Sequence, residues 1–195
     1  MQIIFLTKND NKIREANEAL LNYGIKLTVA PENVQKLEIQ DEHVENVALY
    51  AAKTAYKKLK RAFVVEDDGL FINALNNFPG PYTAYALKSV GIKGILKLME
   101  NIENRGAYFQ SAVVLQLLGR FFLFTKKVHG TISLIPKGNA GFGFDPIFIP
   151  SGYDITYAEM DLKEKSSISH RAGAFKEMAS FLNNYYKKYY ENYTK

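Results

Sequence analysis

Residues 62–84 read AFVVEDDGLFINALNNFPGPYTA, and they constrain the fold more than any other stretch. Ala62 to Val65 form a short apolar run of the kind that makes a buried strand. Glu66, Asp67 and Asp68 follow at once, and Gly69 lets the backbone turn sharply. In an α/β sheet, ligands sit outside the carboxyl ends of the strands, so an acidic cluster at a strand end points its chemistry at the crevice. Adjacent carboxylates repel one another unless a cation sits among them. Mg2+ prefers such oxygen ligands and usually takes one or two carboxylates plus substrate phosphates. A solvated acidic turn would use the same residues, so the weight falls on the rest of the chain.

The chain has 195 residues, which fits one large domain over residues 1–195 or at most two small ones. Hydrophobic residues make up 47% of it, enough for a continuous core. The absence of cysteine excludes disulfides, thiolate zinc sites and a cysteine nucleophile. No apolar run approaches the length of a membrane helix, and the N-terminal QIIFL is too short for a signal-peptide core. These features point to a cytoplasmic protein with no membrane partner. The net charge of +5 comes from dispersed residues, so a nucleic-acid-binding arm is not expected.

In chain order, Gln2 to Leu6 reads as a strand and the helix after it runs to about Asn22, ended by Gly24. The turn between them, Thr7-Lys8-Asn9-Asp10-Asn11-Lys12, is a ready anion site, because a helix start leaves free N–H groups. Asn9 or Asp10 would serve equally as an N-cap. Ile25, Leu27 and Val29 alternate as a second strand. Glu38 lies in a polar stretch, and Asp41 is placed to cap a helix carrying Val44, Val47, Ala48, Ala51, Ala55 and Leu59. Ile92, Ile95, Leu96 and Met99 mark another helix. Residues 107–118 and 121–128 read as a hairpin around Gly119-Arg120, with a further strand over 131–135. In GFGFD, Phe142 and Phe144 stand among glycines and are able to sandwich a flat ring, or to cap the core. Ser169 is a good N-cap for the last helix, which puts His170 and Arg171 in its first turn. Lys12 likewise falls in a first turn, where the helix dipole disfavours cations, so both helix starts suggest an anionic or acceptor-rich ligand.

TKNDNK, VEDDGL with FPGPY, GFGFDPIF, TYAEM and EK-x-x-x-SHR occur in this order between Thr7 and Arg171. Together they resemble the inosine/xanthosine triphosphate pyrophosphatase family. The resemblance implies an elongated α/β fold with a central mixed sheet, flanking helices and a cleft between two lobes, and a homodimer. It implies Mg2+-dependent hydrolysis of non-standard purine nucleoside triphosphates to the monophosphate and pyrophosphate. By the same resemblance Asp67 is the general base, and Glu38 and Asp67 are the metal ligands. Thr7, Lys8, Asn9, Asp10, Asn11 and Lys12 match the triphosphate loop. Asp68 stands where many relatives carry a Ser or Thr that touches substrate; Phe142, Gly143, Phe144 and Asp145 match the base loop, and Lys165 a substrate lysine. His170 and Arg171 match the pair that reads the purine. Tyr50 stands where relatives often carry lysine, with Lys53 one turn later; Ala84 or Tyr85, and Ser166, also depart from the common pattern.

Residue chemistry leaves other classes open. A nucleotide sensor would keep the lysines and aromatics without needing the acidic cluster. A nucleic-acid binder would use the aromatics for stacking. A pyrophosphatase acting on pyrimidine nucleotides is the nearest enzymatic rival.

Overall fold

The computed structural model describes residues 1–59 and 61–193, and the side chains as far as 188. It is a mixed α/β fold around one seven-stranded sheet of order β2-β1-β3-β5-β6-β7, with β4 paired to β3. The strands are β1 (Gln2–Phe5), β2 (Lys26–Val29), β3 (Phe63–Ile72), β4 (Pro79–Gly80), β5 (Gly106–Leu117), β6 (Arg120–Ile132) and β7 (Phe148–Pro150). The helices are α1 (Asp10–Ala19), α2 (Val44–Tyr56), α3 (Thr83–Ser89), α4 (Gly91–Leu98), α5 (Leu162–Ile168) and α6 (His170–Tyr193). β1 pairs with β2 and β3 in parallel, each through a crossover helix, and every other pairing is antiparallel. Among the described residues no helix is long and apolar enough to cross a membrane.

Period-two alternation sorts the strand residues onto the two faces of the sheet. Ile3, Phe5, Val64, Val113 and Leu115 pack against α1 and α6 through Ala16, Leu20, Phe175 and Met178. Ile4, Leu6, Phe63, Val65, Ala112 and Val114 meet α2, whose Ala48, Ala51 and Ala55 allow a close approach. Beyond Gly69 the long strands enter a separate cluster, where Leu70, Ile72 and Phe109 pack with Ile95, Met99, Phe148 and Tyr157.

Several sequence expectations need correction. The acidic residues do not end a strand: β3 runs straight through VEDDGLFI, held by β5 along its whole length. Gly69 makes no turn. A Cβ there would run into the Gly80 carbonyl, so glycine is needed for the close approach of β4. α1 stops at Ala19, followed by a 3-10 turn and then Gly24 at φ 65°. His43, not Asp41, precedes α2; Asp41 accepts from the His43 N–H at 2.8 Å and from Asn46. The strand expected over 131–135 is the end of β6, and residues 133–135 leave the sheet. The hairpin stands where expected, turning on Leu118 and Gly119, both at positive φ.

Candidate active site

β1 pairs with β3 only at Phe63 and Val64, and β4 pairs with it only at Leu70 and Phe71. Between them this edge of β3 has no partner strand among the described residues, and here the carboxyl end of β1 opens into a cleft of about 1090 Å³. Thr7, Lys8, Asn9, Asp10 and Lys12 line one side, and the irregular segment holding Lys36 and Glu38 lines the other. Asn9 is the N-cap of α1, its Oδ1 accepting from the N–H groups of Asn11 and Lys12. Thr7 Oγ1 accepts from the Asn9 N–H at 3.1 Å. Lys8, Asp10 and Asn11 are exposed.

The three carboxylates do not share one cation. The pleat sends Asp67 toward α2 and its neighbours Glu66 and Asp68 toward α1 and α6. Lys36 Nζ lies 3.0 Å from Asp67 Oδ1 and 2.6 Å from Glu38 Oε1. Asp67 Oδ2 is buried without a hydrogen-bond partner. Burial pushes the Asp67 carboxyl up to about 6, against the opposing pull of Lys36 and Lys12.

On the opposite face, Lys12 Nζ is 2.9 Å from Glu66 Oε2 and also contacts Asp68. Burial opposes the charge on Lys12, but Asp68 and Glu66 outweigh it and raise its pKa. Arg171 is almost fully buried and joins three carboxylates: Nη1 to Glu15 at 2.8 Å, Nε to Glu66 at 3.0 Å and Nη2 to Asp68 at 2.9 Å. Burial disfavours ionised Glu15, yet Arg171 and Lys165 hold its carboxyl down to about 2. Lys165 Nζ bridges Asp145 at 2.7 Å and Glu15 at 3.3 Å. Asp68 sits well below the usual carboxylate range: burial is overcome by Lys12 and Arg171. His170 Nε2 is 3.6 Å from Asp68, and its ring stacks on Phe109 with centroids 4.6 Å apart.

The cations at the starts of α1 and α6 therefore have partners within the chain, and their placement does not require a ligand. Ser169 caps α6 as expected, accepting from the Ala172 N–H at 3.1 Å while donating to Glu15 at 2.6 Å. The GFGFD loop divides the two phenylalanines. Phe144 is buried in the core with Tyr157 and Phe148, so it is not free to stack on a ring. Half-buried Phe142 lies over the Lys165 ammonium at 4.9 Å and the Arg171 guanidinium at 5.3 Å. Gly141, at φ 71°, leaves room for the Asp145 carboxylate, which accepts from the Phe142 N–H at 2.7 Å. Gly143 also takes a positive φ, of 67°.

The expected site residues thus fall into two groups joined at Lys12. Thr7, Lys8, Asn9, Asp10, Lys12 and Glu38 face the cleft, with Asp67 reached through Lys36. Asp68, Asp145, Lys165, His170 and Arg171 form a buried ionic cluster under Phe142. Tyr50 and Lys53 are exposed on α2. Sequence reasoning missed Glu15 and Lys36 as site residues. Glu15 had a signal, standing three residues after Lys12 on the same helix face. Lys36 had none beyond its nearness to Glu38.

Fold and site together define an α/β protein whose charged cleft opens at the carboxyl end of a parallel strand, beside a buried ion-pair cluster. A family model for the Ham1 family matches residues 3–181, and the chain belongs to that family. Among curated relatives, the dITP/XTP pyrophosphatase of Hyperthermus butylicus is 48% identical, the match covering 94% of this chain and 95% of that protein. That of Saccharolobus solfataricus is 45% identical over 96% and 97%. A solved HAM1 protein from Coxiella burnetii shares the fold with TM-score 0.84 and 28% identity, over 94% of this chain and 99% of that one. The family membership and fold class expected from the motifs are borne out.

Proposed function

We propose that this protein hydrolyses nucleoside triphosphates to the monophosphate and pyrophosphate, with non-standard purine nucleotides such as those of inosine and xanthosine as its substrates. The observation that carries this reading is the pairing of a cation-lined cleft with Asp67, a buried carboxylate that keeps one oxygen without a hydrogen-bond partner. A carboxylate with a free oxygen is suited to orienting a water and taking its proton. The names of the relatives support the same substrate class.

Glu38 and Asp67 would hold Mg2+. Their oxygens already converge on one cation, and the buried Asp67 Oδ2 lacks a partner. Mg2+ takes one or two carboxylates and completes its shell with phosphate and water. When bound, the ion supplies charge neutralisation at the phosphate oxygens. Asp67 orients a water and accepts its proton as the water oxygen bonds to phosphorus and the anhydride bond to pyrophosphate breaks. Lys8 and Lys12 hold the phosphate chain as point charges. The chain would work in the cytoplasm as a homodimer.

The test is a panel of purine and pyrimidine triphosphates with Mg2+, with pyrophosphate and orthophosphate followed separately. Pyrophosphate release confined to the inosine and xanthosine nucleotides is expected. Turnover of none of them would overturn the reading.

A further inference from the structure

Lys36 has no place in the reaction described so far, yet its ammonium sits between the two proposed metal ligands. It lies 2.6 Å from Glu38 and 3.0 Å from Asp67, half-buried, on a segment without regular secondary structure. Resting on the metal reading above, we propose that Lys36 is an internal counter-cation that holds the metal seat in the free protein and must leave when a divalent ion binds.

Two cations cannot share this seat. Mg2+ binds oxygen at about 2.0–2.1 Å, so an ion bridging Glu38 and Asp67 would stand where the ammonium now bridges Glu38 Oε1 and Asp67 Oδ1. Lysine is suited to leaving: its charge is compact, strongly hydrated and carried on a flexible stem. The segment carrying it also lines the large cleft, so the displaced ammonium has open space beside Thr7 and Lys8. While Lys36 is seated, the site is competent for metal only in the fraction of molecules where it has swung out, and the apparent affinity drops by that fraction. The ammonium therefore works against binding of the free ion. A metal arriving with a triphosphate brings anionic oxygens to the displaced lysine and offsets the loss.

The experiment measures Mn2+ binding directly, by the magnetic-resonance signal of the free ion, at pH 8 without nucleotide. It compares the wild type with Lys36→Met, Lys36→Gln and Lys36→Arg, and uses Glu38→Gln as the control for the site. Removing the ammonium is expected to tighten Mn2+ binding at least about tenfold, equivalent to ~1.4 kcal/mol. Lys36→Arg is expected to bind no more tightly than the wild type. Thermal melts confirm folding, and either neutral variant suffices for the comparison. Neutral variants that bind Mn2+ equally or more weakly overturn the proposal while leaving the metal reading intact. Absence of Mn2+ binding in every protein, with or without inosine triphosphate, removes the metal reading and this inference with it.

Discussion

Asp67 and Asp68 are consecutive residues whose carboxylates leave β3 on opposite faces, Asp67 toward Lys36 at 3.0 Å and Asp68 toward Arg171 at 2.9 Å. One strand thereby supplies a carboxylate with a raised pKa to one side and a firmly ionised one to the other. The two environments push the two carboxyls' values apart, the pattern by which one pair of acids is fitted for different tasks.

Asp67→Asn keeps the size of the side chain but removes the proposed base. Its kcat is expected to fall by at least about a hundredfold, the lower end of general-base contributions. Steady-state turnover of inosine triphosphate by the folded variant checks this. Near-normal turnover would place the base elsewhere.

Two buried acids should affect stability with opposite pH dependence. Asp67 has a folded pKa of about 6, above its ordinary 3.8, so its contribution is fully present below that ordinary value and is lost as pH rises through about 6. Relative to Asp67→Asn, the metal-free wild type should lose up to ~3 kcal/mol between pH 4 and 7. Glu15 is held down to about 2, below its ordinary 4.5, so its contribution is present above that value and disappears as pH falls through about 2. Glu15→Gln should therefore cost about 3 kcal/mol at neutral pH, because it leaves Arg171 and Lys165 under-compensated. Denaturant unfolding of the three proteins across pH provides both curves. Parallel curves would contradict the assignment.

Lys12 joins the cleft to the buried cluster through Glu66 and Asp68. Lys12→Met preserves the stem and removes the charge. KM for inosine triphosphate should rise by about tenfold or more, through lost phosphate binding, while the leaving group remains intact pyrophosphate. Orthophosphate as the first product, in a preparation free of contaminating phosphatase, would reject the proposed grip on the outer phosphates.

The elements legible in the sequence are those whose pattern is local. The β5–β6 hairpin, the apolar stripes of α1, α2 and α6, and the Ser169 cap all follow from periodicity and turn chemistry. The course of β3 was not legible, because three charges at the centre of a strand oppose burial. They are tolerated because Lys12, Lys36, Ser111 and Arg171 reach them from distant parts of the chain. α3 and α5, of seven residues each, are too short to establish a helical period. In GFGFD nothing local tells which phenylalanine enters the core. Tyr157 and Phe148 decide it by packing against Phe144. The residues carried by motifs gather at the cleft and in the buried cluster, whereas Lys36, in an irregular segment, became visible only through its distances.

Base selectivity is the most specific expectation for this chain, and the structure changes how it must be tested. Arg171 anchors Glu15, Glu66 and Asp68, so Arg171→Ala would strand three buried carboxylates and unfold or loosen the cluster before selectivity could be read. Arg171→Lys keeps the charge and loses the planar fork. The guanidinium has five N–H donors, more than its three carboxylate contacts use. Remaining donors under Phe142 are suited to the 6-oxo group of hypoxanthine or xanthine and would face unpaired against the amino group of adenine. Leaving buried donors unpaired discriminates strongly, by up to about four or five orders of magnitude in favourable cases. The ratio of kcat/KM for inosine over adenosine triphosphate should therefore fall about tenfold or more in Arg171→Lys, chiefly through loss of the inosine substrate. An unchanged ratio in a variant with wild-type near-ultraviolet circular dichroism would confine Arg171 to holding the carboxylates together.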